Sequence, residues 1–156
     1  MVQKTVNRSI ASNTIGEFWD DSVRKCLPYA INSSDATNNV IGRYFTSSDG
    51  VSVSAGGSGA GVGVFVGAKT QPNFNGDLTA TTTLPNNVIG EFCTMGRVVV
   101  NLGAQSTFGA EVNYTIATGA LGVGAGDNST TKTIPNAFVL VPGGSDGLCV
   151  VEFGRN

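Results

Sequence analysis

Residues 88–116 read VIGEFCTMGRVVVNLGAQSTFGAEVNYTI, and this stretch decides the fold class. Val98, Val100 and Leu102 alternate with Arg97, Val99 and Asn101. After a glycine-bearing connection, Val112, Tyr114 and Ile116 alternate with Glu111, Asn113 and Thr115. A period of two puts one set of side chains on a core and the other toward water, so the stretch reads as short strands, with Met95-Gly96 at a bend between the first two. None of its residues is a usual nucleophile–base pair or metal cluster, so it reads as scaffold.

Working outward, more strands appear. Val40–Thr46 (VIGRYFT) reads as a strand, and Asp49-Gly50 then marks a hairpin, since Asp-Gly supplies the positive φ that a tight turn needs. Val51, Val53 and Ala55 alternate with Ser52 and Ser54, and the glycine-rich bend AGGSGAG leads into Val62, Val64 and Val66. Glycines at 61, 63 and 67 beside these valines predict close backbone approach or a tight barrel bend. Pro72–Gly76 reads as a loop, Asp77–Leu84 as a strand, Gly122–Thr133 as a long exposed loop, and Ala137–Val141 as a strand buried on both faces. Leu148–Phe153 closes the domain.

Composition agrees. With 22 glycines and only 13% charged residues, the chain is far from a helical composition and suits many strands joined by turns. Its 156 residues fit one domain of the usual ~100–200. We therefore expect an all-β, single-domain antiparallel barrel or sandwich with Gly-rich turns, spanning residues 31–156, after an extended arm and lead-in over residues 1–30.

The segment Thr14–Ile31 (TIGEFWDDSVRKCLPYAI) is ambiguous from the residues alone. Thr14 and Glu17 match a helix capping box, while Asp20/Arg24 and Asp21/Lys25 have i,i+4 spacing. Gly16 and a sparse apolar set oppose a helix. Trp19, with Phe18 and Tyr29 nearby, is the one cluster with recognition character, because Trp and Tyr are enriched at binding hot spots.

The chemistry is sharply limited. There is no histidine, which removes the commonest general base and metal ligand. Adjacent Asp20-Asp21 is a poor acid–base pair, the glycines at 56–63 fit neither phosphate-loop pattern, and Asp127-Asn128-Ser129 lacks the rest of a calcium loop. Cys26, Cys93 and Cys149 have no CxxC spacing, and three is an odd number, so they read as buried thiols. We expect no enzyme, no cofactor and no metal. Net charge is −2 with no basic cluster, so nucleic acid is not an expected partner. No run of about 18 apolar residues exists and the N-terminus lacks a signal-like apolar segment, so neither a membrane partner nor secretion is expected. The pentapeptide NNVIG occurs at Asn38–Gly42 and Asn86–Gly90, and reads as two similar turn-to-strand transitions.

VIGRYFT, SSDGVSVSAGGSGAGVGVFVG and TLPNNVIGEFCTMGRVVVNL, in this order, resemble the structural cement (capsid decoration) proteins of tailed bacteriophages. The family's Gly-aromatic stretch, Arg, Pro and Asn-x-x-Gly-Arg-x-Phe-Thr strand correspond here to Gly16–Phe18, Arg24, Pro28 and Asn39–Thr46. The resemblance runs from Gly16 to Phe153 and implies an extended rather than helical Gly16–Tyr29. It further implies a virion protein on the exterior of the head, in many copies, bridging major capsid protein subunits, paired with itself as a homodimer or homotrimer, and present in the host cytoplasm during assembly. A phage tail or fibre protein, or a carbohydrate-binding β-module, is the alternative. On the capsid reading, the contact residues are expected among Val2, Lys4, Val6, Arg8, Phe18, Trp19, Arg24, Tyr29 and Arg97.

Overall fold

The computed structural model describes residues 14–67 and 83–154. Nine strands are found among them: β1 (Lys25–Ile31), β2 (Tyr44–Ser47), β3 (Ser52–Ala55), β4 (Ala60–Val66), β5 (Ile89–Asn101), β6 (Glu111–Thr115), β7 (Leu121–Val123), β8 (Thr131–Val141) and β9 (Leu148–Phe153). Strand neighbours run β1-β3-β2-β4-β5-β9-β8-β6-β7, and β1 also pairs with β5. That extra pairing closes β1, β3, β2, β4 and β5 into a five-stranded barrel. Named strands pair antiparallel, except β1 with β3, where Ala30 faces Ser52 and Ile31 faces Val53 in parallel.

The deciding stretch is thus one 13-residue strand followed by β6, where separate short strands were expected on either side of Met95-Gly96. The change at that point is a change of partners. Up to it, Ile89–Cys93 and Met95 pair with β1 and Glu91–Cys93 with β4; after it, Gly96–Asn101 pair with β9. Gly96 makes the turn with φ +141°, where an added Cβ would press on the Cys93 Sγ, Arg24 Cβ and Phe18 ring at 3.2–3.4 Å.

Two cores result. Inside the barrel, Phe45, Phe65 and Phe92 form a three-ring cluster with centroids 4.9–5.6 Å apart, all three fully buried. Each such ring removed from water contributes about 1.5–3 kcal/mol. The second core lies between the barrel's outer wall (Tyr44, Val64, Val66, Cys93) and the inner face of β5-β9-β8-β6, which supplies Val98, Val100, Val112, Tyr114 and Val151. The Tyr44 and Tyr114 rings meet across it, tilted by 33° with centroids 4.7 Å apart.

Several local expectations change. Val62 does not share a face with Val64 and Val66: it packs inside the barrel with Phe65, while they point outward. The register shifts here, and Gly63 at φ +136° flips the alternation beside the Cys93 carbonyl. Gly122–Thr133 is not a long loop but part of a hairpin, β7 and β8 both pairing with β6. Ala137–Val141 buries Ala137 and Val139 but leaves Phe138, Leu140 and Val141 half-buried, as one face of a sheet rather than two. The two NNVIG copies differ in burial: Ile41 is 3% exposed and Ile89 71%. The Asp49-Gly50 hairpin forms as read, with the Asp49 carboxylate accepting from Val51 and Ser52 N–H. The loop at 72–76 and most of the strand expected at 77–84 lie outside the described residues; Thr83 bridges Val40.

Gly63→Ala should cost about 3 kcal/mol in urea unfolding, because it combines a disfavoured φ with a Cβ driven into the Cys93 peptide. Gly103→Ala, at φ +69° with open space around it, should cost only about 1 kcal/mol. Equal losses at both positions would refute the close-packing account.

Candidate contact site

The segment from Thr14 to Ile31 straps the outside of β5. The Thr14/Glu17 pair closes a turn, Glu17 N–H donating to the Thr14 carbonyl at 3.1 Å, instead of capping a helix. Gly16 N–H donates to the Val99 carbonyl, Val99 N–H to the Glu17 carbonyl, and Trp19 N–H to the Arg97 carbonyl, at 2.8–2.9 Å. Phe18 bridges Val98 in antiparallel sense. A helix would forgo these bonds and leave the free edge of β5 unpaired, so the tertiary partner overrides the local capping signal. Gly16, at φ +84°, lets the strap press on Ile41.

The reading of Val99 as outward is corrected. It is 2% exposed, with its backbone paired beside residues 16–17, whereas Asn101 beyond the strap is exposed.

Arg97 anchors the strap's far end. Its Nη1 donates to the Asp20 carboxylate at 2.8 Å and its Nε to Glu152 at 3.3 Å, so one guanidinium ties strap, β5 and β9 together. The hydrogen bonds from Ser22 and from Arg97 hold the Asp20 carboxyl at about 2. The Arg24 guanidinium lies over the Phe18 ring, 4.5 Å from its centroid. Ser22, Val23, Met95, Gly96, Arg97 and Glu152 help line a shallow cleft of about 340 Å³ beside them.

Of the residues singled out from sequence, the fold thus gathers Phe18, Trp19, Arg24 and Arg97 around the turn in β5. Tyr29 stands apart on β1, its ring edge against Phe92 at 6.2 Å. Val2, Lys4, Val6 and Arg8 lie outside the described residues. Sequence reasoning missed Val23 (81% exposed) and Leu27 (40%), which read as one side of a possible helical face, and Ile89 (71%), which read as part of a strand. It also missed Asp20 and Glu152 as partners of Arg97, for which no local spacing gives a signal.

The Asp127 carboxylate is occupied by its own turn. Asp127 accepts from Ser129, Thr130 and Thr131 N–H, which holds its carboxyl well below the usual range. Among the described residues, no group of three or more His, Cys, Asp or Glu is arranged to hold a metal. What the strap offers is a fixed, partly apolar surface with a stacked cation.

Comparison with known proteins agrees with a structural role. The model of the family described as structural cement protein (E217 gp24/Pam3 gp6) matches residues 2–154. No curated protein matches. Among solved structures, a chain in the capsid of the Myoviridae phage XM1 shares the fold at a TM-score of 0.61 and 11% identity, over 97% of this chain and 96% of that one.

Trp19 is the single tryptophan, so its fluorescence reports the strap directly. Asp20 is depressed from the usual 3.8 to about 2, so the stability it contributes is present above 3.8 and is lost as pH falls through about 2. In an acid titration the Trp19 emission should shift toward the solvent-exposed value over that window, and Asp20→Asn should show the shifted spectrum already at neutral pH. An identical titration curve for wild type and Asp20→Asn would refute the anchoring role.

Proposed function

Because the chain belongs to the phage structural cement protein family and is thus a structural component of the capsid, we propose that it decorates the outer surface of the head in many copies, bridges neighbouring major capsid protein subunits and stabilises the shell. The observation that carries this reading is the strap: its backbone is anchored to β5 at Gly16, Glu17 and Trp19, while Val23, Arg24 and Leu27 are exposed. A surface held rigid before binding loses little side-chain and backbone freedom on docking, which favours affinity.

The contact residues on this reading are Phe18, Trp19 and Arg24 at the turn, Arg97 behind them, Tyr29 on β1, and Val2, Lys4, Val6 and Arg8 in the arm. An interface of about 800 Å² per partner is modest for one copy. Self-association as a dimer or trimer at a symmetry axis would add avidity of about 10²–10⁴. The protein then acts on the virion exterior, reached from the host cytoplasm during assembly.

Titration of purified protein onto heads lacking it should saturate near stoichiometry with the major capsid protein on a gel. Trp19→Ala with Arg24→Ala should weaken this binding at least about 10-fold, the cost of losing one or two hot-spot contacts, with circular dichroism unchanged. Removal of Met1–Ser12 should weaken it separately. Unchanged binding by both variants would overturn the assignment of contacts, and occupancy of only a few copies per particle would overturn the cement role.

A further inference from the structure

We propose that Cys26 and Cys93 form a convertible thiol pair that closes into a cross-strand disulfide, covalently pinning the strap strand β1 to the shared strand β5. The two are direct partners in the antiparallel β1–β5 ladder. Direct antiparallel partners lie about 4.5–5.5 Å apart between Cα atoms, inside the roughly 4.4–6.8 Å that a disulfide spans. Both side chains are on the same face: Cys93 belongs to the core between barrel and second sheet, and Cys26 packs against that core. In the reduced state the Cys93 thiol donates to the Met95 carbonyl at 2.8 Å, a bond that closure of the disulfide gives up. Thr94 is skipped in the register beside them, with Lys25 facing Met95, so one strand carries slack next to the bond to be formed.

Cys149 is the internal control. It sits on β9 opposite Val100, seven residues along β5 from Cys93, or roughly 20 Å at strand rise, out of reach of either partner.

The reduced state is the resting one. Burial pushes both thiols up, Cys93 to about 12, so neither is an activated nucleophile and exchange with an oxidant is slow. The oxidant is a small-molecule disulfide. Half-exposed Cys26 loses its proton and attacks one sulfur of the oxidant, forming a mixed disulfide and releasing one thiolate. Cys93 then gives up its proton and attacks the Cys26 sulfur, expelling the second thiolate. In sum, two S–H bonds are lost, one S–S bond forms, and the oxidant disulfide is reduced to two thiols that carry the protons. If the protein is on the virion exterior, as proposed above, the bond would close when particles leave a reducing cytosol. Only that timing rests on the capsid reading, since the chemistry is tested on free protein.

Full-length protein prepared under reductant is incubated with oxidised glutathione, alkylated, and examined by intact mass and peptide mapping. Two of the three free thiols should be lost to labelling, the mass before alkylation should fall by two hydrogen atoms, and the Cys26 and Cys93 peptides should be joined. The thermal midpoint of the oxidised protein should rise by about 5–10 °C, because the cross-link spans a long loop. Cys149→Ser should keep the bridge and Cys26→Ser should abolish it. A stable glutathione adduct on Cys26 with Cys93 still free, a bridge involving Cys149, or a bridge between two molecules would each overturn the proposal; the wild-type peptide map decides even if a variant fails to fold.

Discussion

Everything in this molecule hangs on β5 being hydrogen-bonded along both edges for most of its length. Its first half is a stave of the barrel, between β1 and β4, and its second half is sandwiched between β9 and residues 16–19 of the strap. A strand with no free edge cannot slip in register without breaking both ladders, and a one-residue slip would turn Val98 and Val100 out of the core. The barrel and the second sheet are therefore not two units docked together. They share one backbone, and the core with Tyr44, Val64, Cys93, Val98 and Val100 is continuous through it.

Such sharing needs places where backbones come closer than side chains allow. At Gly56 and Gly119 the glycine-rich bend meets the β6–β7 connection peptide to peptide: Gly57 N–H donates to Ile116, Tyr44 N–H to Gly119, and Gly56 N–H to Tyr44. A Cβ at Gly56 or Gly119 would collide with those carbonyls. The same logic governs Gly63, where an added Cβ would meet the Cys93 peptide. Close backbone approach thus accounts for these glycines, while Gly50, Gly103, Gly109 and Gly124 sit at open turns with positive φ.

The strap has two faces. Its backbone bonds complete β5, and Val23, Arg24 and Leu27 are exposed. Arg97 serves both ends: its carbonyl holds Trp19 and its guanidinium holds Asp20 and Glu152. Exposed ion pairs of this kind contribute little to stability individually. Their value here is positional, since they fix the turn from which Val23 and Arg24 project. Covalent closure of Cys26 onto Cys93 would act on the same segment a few residues later.

The residues alone determined the fold class, the Asp49-Gly50 hairpin, most strand positions and the absence of histidine chemistry, because period-two alternation, turn chemistry and composition are local properties. The motif resemblance added the extended strap and the capsid role. What alternation cannot report is the identity of the opposite neighbour. Val99 reads as outward and is 2% exposed, and Ile41 and Ile89 are the same letter in the same pentapeptide with opposite burial. The Thr14–Glu17 capping signal is locally sound and loses to hydrogen bonds from a strand some eighty residues away in the chain. Barrel closure by β1, the face switch at Gly63, the Arg97–Asp20–Glu152 cluster and the Cys26–Cys93 register were decided only by the tertiary structure. Each is a pairing between distant segments, and the free energy that selects it comes from completing ladders and filling cores that no single segment contains.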